Sequence, residues 1–259
     1  MEKLQIIDMD ASGIDNMGMC GYKNKNHIGY RRKQEWTKAR FAEGMKYKML
    51  VDETGNSIGG IEYIPGEYAW RPVKADGYMF IHCVYIMSKS AKGKGFGKKL
   101  VQECIDDALR LKMNGVTAIT RKGSWMVGKQ LFEKLGFKVT DAVRPDFKLL
   151  TLKLDIEACS PKFIGNWDQQ LKKYGDGLTI ITSDQCPYVI KSVTEILEVA
   201  QTDFNILPNV IHLESSEHAK QIPCAFGSFC MIYNGRVVAE NPISATRFRN
   251  ILKKELAIS

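Results

Sequence analysis

Apolar positions in the first 155 residues alternate between strand-like and helix-like spacing. The run from Phe80 to Met87 predicts a buried strand, and the segment after Lys98 repeats apolar residues every three or four positions until Asn114-Gly115, which predicts a helix. Around this centre the pattern predicts further strands and two more helices. The strands cover Lys3–Met9, Lys46–Val51, Ser57–Ile64, Val116–Thr120 and Lys148–Leu154, and the helices cover Tyr30–Glu43 and Trp125–Leu135.

The last hundred residues repeat this alternation as a second, smaller set of elements. Cys159-Ser160-Pro161 marks a boundary, so we expect one domain over residues 1–155 and another over residues 156–259. The pattern of the second domain predicts a strand over Leu178–Thr182, a helix with Ile190 and Ile196 on its apolar face, a strand over Asn209–Leu213, a hairpin about Asn234-Gly235, and a helix over Ala245–Leu256.

Length and composition agree with a soluble protein of two domains. The chain has 259 residues, 44% hydrophobic and 25% charged, and no apolar run approaches the ~20 residues that cross a bilayer. The N-terminus lacks a basic region followed by an apolar core, so we expect a cytoplasmic protein with no membrane partner. Seven cysteines at irregular spacings predict reduced thiols and no metal site.

The net charge of +8 does not indicate nucleic-acid binding. Basic residues are scattered through both halves, whereas a nucleic-acid surface would combine a basic stripe with exposed aromatic residues or a known module. We therefore expect no nucleic-acid partner.

The most specific chemical signal is the sequence Lys-Gly-Lys-Gly-Phe-Gly over Lys92–Gly97. It follows a predicted strand and opens a predicted helix, so several backbone N–H groups and the positive end of the helix dipole point toward one spot. Glycines permit the crowded backbone that such a nest requires. The segment predicts a phosphate site, although the acidic residue of a dinucleotide-binding unit and the Ser or Thr of a Walker motif are absent.

The order strand, glycine loop, helix, strand, helix, followed by Leu131-Phe132-Glu133-Lys134-Leu135-Gly136-Phe137, resembles the GNAT superfamily of acyl-CoA-dependent N-acyltransferases. The resemblance covers about residues 1–155 and implies an α/β (α+β) fold with a mixed central sheet. It also implies acetyl-CoA as co-substrate and transfer of an acetyl group to an amine by direct attack. The residues that it assigns to the coenzyme are Val84, Tyr85, Ile86, Met87, Lys92, Gly93, Lys94, Gly95, Phe96, Gly97, Lys98, Ser124 and Phe132.

Two positions depart from the family pattern. Lys92 stands where relatives usually have Arg or Gln, and Phe132 stands where many relatives place a tyrosine that protonates the departing thiolate. Phe132 cannot donate a proton, so Tyr85, Ser124 or a water molecule would have to do so, or no acid is used. Ser124 has the further interpretation of an N-cap for the helix predicted at Trp125.

Acetyl transfer to an alkylamine requires a base, because such amines are protonated at neutral pH, with a pKa of about 10 as for lysine. On the strand before the glycine loop, His82 is the group with a suitable pKa, about 6.5 when unperturbed. The strand has one residue more than the commonest family spacing, so either His82 or Cys83 occupies the base position. A structural or substrate-orienting role for His82 stays open, and Glu62 and Asp76 are alternative carboxylates on neighbouring strands.

The second domain resembles a thioredoxin-like fold, and its combination with the first looks like proteins that carry a YoaP-type C-terminal domain. Cys186-Pro187-Tyr188-Val189 lies at the turn where glutaredoxin-like proteins have two cysteines, but Val189 replaces the second. Redox chemistry at Cys186 with Cys224 or Cys230 competes with a structural or docking role. Pro223 is a candidate cis-proline facing Cys186.

Two functional hypotheses follow. The first is an acetyl-CoA-dependent N-acetyltransferase that acts on a small-molecule amine or aminoacyl compound, with a homodimer compatible with this function. The second is a non-enzymatic acyl-CoA-binding or thiol-responsive regulatory protein, motivated by Phe132 and by the lack of a carboxylate on the central strand.

Overall fold

The computed structural model describes residues 4–17, 19–22, 24–123 and 125–258, and it divides into two compact units. Unit 1 comprises residues 1–25, 34–69 and 73–163, and unit 2 comprises residues 26–33, 70–72 and 164–259. The domain boundary predicted after residue 155 stays a prediction. The two compact units divide between Phe163 and Ile164, and unit 2 includes two short segments from the N-terminal half.

Unit 1 contains the strands and helices of the first half of the chain. Its strands are β1 (Gln5–Met9), β2 (Lys46–Val51), β3 (Ser57–Pro65), β4 (Val73–Lys74), β5 (Tyr78–Ile86), β6 (Gly115–Thr120), β7 (Lys138–Val143), β8 (Phe147–Lys153) and β9 (Lys162–Phe163). Its helices are α1 (Ala11–Met17), the later part of α2 (Ile28–Phe41), α3 (Phe96–Arg110) and α4 (Gln130–Glu133).

Within the described residues, unit 1 is built on a seven-stranded mixed sheet in the order β1-β2-β3-β5-β6-β8-β7. Neighbouring strands are antiparallel except for β5 and β6, which run parallel because α3 connects them. One face of the sheet packs on α3, whose apolar residues Leu100, Val101 and Cys104 meet Ile61 and Ile81 in a single core. The mixed α/β fold predicted from the sequence is confirmed.

Unit 2 is built on a second mixed sheet with helices between its strands. The elements are α5 (Trp167–Leu171), β10 (Leu178–Thr182), α6 (Pro187–Phe204), β11 (Asn209–His212), α7 (Ser216–Lys220), β12 (Phe229–Tyr233), β13 (Arg236–Ala239) and α8 (Ala245–Ile258). In the described part of the chain the strand order is β11-β10-β12-β13, with β10 and β11 parallel and the other pairs antiparallel. Phe204 of α6 meets Phe248 of α8 edge to face, at 6.1 Å between ring centroids.

Two sequence predictions about local structure were wrong, and one strand was missed. The helix predicted over Trp125–Leu135 is only the single turn α4, and residues 125–129 before it, which include Gly128, are irregular. Strand β7 was not predicted. The peptide bond before Pro223 is not cis, since the cis bond among the described residues joins Arg144 and Pro145.

None of the helices in the described part of the chain combines the length and the apolar character that a membrane span requires.

Candidate active site

The two parallel strands of unit 1, β5 and β6, separate before either strand ends. Their ladder runs from Tyr78↔Gly115 to Ile81↔Ala118, while β5 continues to Ile86 and stays paired with β3 on its other side. Met87 N–H donates to Ile58 O of β3 at 2.8 Å, so the alternation of a strand directs the N–H groups of Val84 and Ile86 away from β3. The edge of β5 is therefore open toward β6 from His82 onward.

A groove of about 340 Å³ begins at this open edge and ends at the start of α3. The β5 residues Val84, Tyr85 and Ile86 form one wall. Members of the glycine loop and its helix form the next, namely Lys92, Gly93, Gly95, Gly97 and Lys98. These eight residues were all assigned to the coenzyme from the sequence, and the fold brings them into one groove.

The glycine loop has the backbone conformation of an anion-binding nest. Gly93 and Gly95 have φ values of +80° and +85°, and a Cβ atom added to either would have no heavy atom within 4 Å beyond its chain neighbours. Gly95 is the N-cap of α3, so the first N–H groups of the helix, at Phe96 and Gly97, have no acceptor within the helix. Together with the Lys92 and Lys98 side chains, they make this end of the groove suitable for a diphosphate.

His82 is the extra residue of β5. The register with β3 passes from Tyr63↔Ile81 to Glu62↔Cys83, so a β-bulge accommodates His82 at the point where β5 and β6 part. The His82 side chain is 0% exposed and its Nδ1 lies 3.3 Å from Oε1 of Glu62, which is 2% exposed. Trp36 and Phe80 surround the imidazole, with ring centroids at 6.0 and 5.5 Å. Cys83, the alternative base, is exposed.

Tyr85 lies in the groove wall but its hydroxyl belongs to a small hydrogen-bond cluster. The hydroxyl groups of Tyr85 and Tyr47 are 2.8 Å apart, and the backbone N–H of Cys20 donates to both, at 3.0 and 3.2 Å. Burial, with a contribution from the Cys20 thiol, raises the pKa of Tyr85 above its ordinary value. Tyr85 is therefore protonated at neutral pH and held in a fixed position.

Other residues that the sequence assigned to the site lie elsewhere. Phe132 is buried in the core and packs edge to face on Phe137, at 5.3 Å between centroids, so it is not a groove residue. Asp76 lies in the exposed turn before β5 and not on a strand. Ser124 lies outside the described residues. Met87 and Lys94 are exposed, and Phe96 packs partly against the core of unit 1.

The groove has a third wall that was not predicted from the sequence. Val127, Gln130, Leu131 and Lys134 complete the lining, on or beside α4. The i, i+4 spacing of Gln130 and Lys134 placed them on one helix face, but nothing local in the sequence showed that this face meets the groove.

Unit 2 holds a strand-turn-helix of its own at Cys186. This residue is the N-cap of α6 and Pro187 is the first helical residue, as the sequence predicted. Cys224 and Cys230 are buried, and burial, together with the neighbouring Cys224, raises the pKa of the Cys230 thiol. Among the described residues no group of three or more His, Cys, Asp or Glu side chains is placed to hold a metal ion.

Two family models match the chain. The model of the acetyltransferase (GNAT) family matches residues 15–137, and the model of YoaP-like proteins matches residues 209–250. A Bacillus subtilis (strain 168) protein named Uncharacterized N-acetyltransferase YoaP is 29% identical over 244 residues, which cover 92% of this chain and 94% of that protein.

Solved structures of GNAT proteins also align with part of the chain. An acetyltransferase of the GNAT family from Staphylococcus aureus Mu50 aligns over 59% of this chain and 99% of its own, with a TM-score of 0.45 and 14% identity. The Salmonella typhimurium protein yncA, solved with its cofactor acetyl-CoA, aligns over 60% of this chain and 96% of its own, with a TM-score of 0.43 and 23% identity.

Proposed function

We propose, from the premise that this chain belongs to the GNAT family of acetyltransferases and carries a YoaP-like C-terminal segment, that it transfers an acetyl group from acetyl-CoA to the amine of a small molecule. One observation carries the proposal. The ladder between β5 and β6 ends at Ile81↔Ala118, and the open edge of β5 continues into a groove that ends at the glycine nest of α3.

The residues of this groove fit coenzyme A from end to end. The backbone N–H groups after Gly95 and the side chains of Lys92 and Lys98 would hold the diphosphate. The outward N–H groups of Val84 and Ile86 would pair with the amide groups of the pantetheine arm, in the manner of an added strand. The coenzyme supplies a thioester, an acyl donor with a good leaving group.

We assign the general base to His82, with Glu62 as its positioning residue. The incoming amine must lose a proton before it can attack, and His82 is the first residue of β5 beyond the end of the ladder. The buried carboxylate of Glu62 at 3.3 Å would orient the imidazole and stabilise its protonated form once it has taken the proton. Phe132 is buried in the core and has no proton to donate, so the departing thiolate would take its proton from water.

The test is release of free thiol from acetyl-CoA in the presence of a panel of small amines. We expect turnover with at least one amine, and we expect His82→Gln to lower kcat by about 10²- to 10⁴-fold while the coenzyme affinity changes less than twofold. Glu62→Gln should lower kcat less and shift its pH profile. Tight coenzyme binding without turnover of any amine would favour the non-enzymatic acyl-CoA-binding alternative instead.

Cys83→Ser is the matched control, because Cys83 neighbours His82 and is exposed. We expect it to keep most of the activity. If Cys83→Ser abolished turnover and His82→Gln did not, the base would be Cys83.

For unit 2, we infer a thioredoxin-like fold from its strand order, in which a parallel pair is followed by an antiparallel hairpin. Val189 occupies the position of the second cysteine in glutaredoxin-like proteins, which supports a structural or docking role for Cys186. The cytoplasmic location and the homodimer stay predictions.

A further inference from the structure

A second pocket, of about 550 Å³, lies at the carboxyl end of β6 beside the groove. Four basic side chains line it, those of Arg121, Lys122, Lys129 and Lys148, against a single acidic one, Asp146. We call it the basic pocket. The proposed function assigns no role to it.

Two of the four cations already have acidic partners. Arg121 pairs with Asp146 at 2.9 Å and stacks over the Phe147 ring, with the guanidinium carbon 4.3 Å from the centroid. Lys129 pairs with Glu133 at 2.5 Å. Neither Lys122 nor Lys148 forms an ion pair within the part of the chain that the structure describes. The basic pocket therefore has an excess of positive charge.

The position of the basic pocket relates it to the reaction. Gln130 lines both the groove and the basic pocket. Thr120, also in the lining, pairs with Lys148 across β6 and β8 and lies two residues beyond Ala118, where β5 and β6 part. Two residues of strand span about 7 Å, which is the length of a short amino acid.

We propose that the basic pocket binds an acidic group of the acceptor, so that the substrate is an amine that carries a carboxylate or phosphate a few atoms from its nitrogen. This inference rests on the proposed function. The ammonium groups of Lys122 and Lys148 would form charge-assisted hydrogen bonds to the acid, which leaves the amine near the point where the strands part. The coenzyme has its own cations in Lys92, Lys98 and Lys134.

The experiment compares matched acceptors, O-phosphoethanolamine against ethanolamine and β-alanine against propylamine. We expect kcat/KM to favour the acidic member at least tenfold in one pair. In the variant Lys122→Gln/Lys148→Gln that ratio should fall at least tenfold. The control Lys46→Gln/Lys138→Gln removes the same charge from two exposed lysines outside the basic pocket and should keep the ratio. Equal use of acidic and neutral amines by the wild type would overturn the inference and leave the proposed function intact.

Two binding measurements test the inference even if no amine is acetylated. Calorimetry of O-phosphoethanolamine and of β-alanine into protein saturated with coenzyme A should show binding of at least one, weakened at least tenfold in the Lys122/Lys148 variant. No binding of either probe would overturn the inference. Affinities for coenzyme A and 3′-dephospho-coenzyme A should change by the same factor in that variant. Loss of affinity for coenzyme A alone would show that the basic pocket holds the coenzyme's own phosphate, and the inference would be wrong.

Discussion

The chain contains two long helices that each begin just after one strand of a parallel pair, α3 after β5 and α6 after β10. Their N-termini differ both in the backbone N–H groups they offer and in the charges beside them. At α3, glycines at positive φ leave the first N–H groups accessible, and Lys92 and Lys98 lie beside them. At α6, Pro187 has no N–H to offer and Asp184 lies two residues before the N-cap. A helix N-terminus is therefore not sufficient for a phosphate site.

The two helices also differ in the buried polar contacts that hold them to the rest of their units. The Asp107 carboxylate of α3 is almost buried and accepts hydrogen bonds from Tyr63 and Arg110, both at 2.6 Å, with the Lys48 ammonium at 3.6 Å. Helix α6 presents an apolar face, and its one buried hydroxyl, Ser192, donates to Ile243 O at 2.7 Å and accepts from Ile243 N–H at 3.1 Å. The contact of Asp107 therefore joins charged groups, whereas the contact of Ser192 joins neutral ones.

The largest effect should come from Gly95→Asp. The new carboxylate would lie beside the diphosphate and displace its contacts with backbone N–H groups, so we expect calorimetry to show coenzyme affinity about a thousandfold lower, or about 4 kcal/mol. Gly55→Asp is the control, because Gly55 has φ +82° and equally open surroundings in the turn between β2 and β3. Equal losses in the two variants would mean that backbone strain, not the nest, explains the result.

The next effect concerns the attachment of α3. Asp107→Ala removes the acceptor of the Tyr63 hydroxyl and one counter-charge of Lys48, so the free energy of unfolding should fall by about 3 kcal/mol in urea titrations. Asp106→Ala on the same helix, with an exposed carboxylate, should cost less than about 0.5 kcal/mol. A similar cost for both substitutions would contradict the role of Asp107.

Acid should weaken the same attachment in the wild type. Burial disfavours the charged form of Asp107, but hydrogen bonds from Tyr63 and Arg110 and the charge of Lys48 outweigh it and lower the pKa. A lowered folded-state pKa means that this stabilisation is complete above the unfolded value, about 3.9, and is lost as the pH falls below it. Unfolding followed from pH 6 to pH 2.5 should show a smaller decline for Asp107→Asn than for the wild type.

A smaller effect is expected at α6. Ser192→Ala leaves the N–H of Ile243 without its hydroxyl partner, which should cost about 1 to 2 kcal/mol in thermal or urea unfolding. The cost should not change between pH 6 and pH 3, in contrast with that of Asp107→Ala. A cost that changes with pH would show that the contact of Ser192 also depends on a charged group.

The smallest effect should be that of Cys186→Ala. Because no phosphate site is expected at α6, the affinity for coenzyme A and the rate of thiol release should both stay within twofold of the wild type. A loss of tenfold or more in either quantity would make the N-terminus of α6 part of the function.

The elements with a strong local pattern were predictable from the sequence. Strand β10 has the predicted bounds, and β12 and β13 form the predicted hairpin, because alternation and the Asn234-Gly235 turn determine them locally. Helix α4 was overpredicted because the apolar spacing of Trp125–Leu135 suggested a helix through Gly128, whereas Gly128 lies in irregular backbone before α4. Strand β7 was missed because its residues are mostly exposed or half-buried and carry little apolar alternation.

The candidate site was predictable where it depends on backbone, and less so where it depends on packing. The glycine loop required only its own residues and their place between a strand and a helix. The choice between His82 and Cys83 depends on the bulge in β5, and a shift of one residue reverses which face of the sheet a side chain meets. The contact of α4 with the groove depends on tertiary packing, which no local pattern records.

Because β5 and β6 separate before they end, bound coenzyme A would also stabilise the fold of unit 1. A ligand that pairs with Val84 and Ile86 extends the sheet where the protein's own ladder has ended. By mass action, the folded state of unit 1 would gain about 1.4 kcal/mol for each tenfold rise of coenzyme A above its Kd. Unit 1 would then resist unfolding and proteolysis more strongly as the concentration of coenzyme A rises.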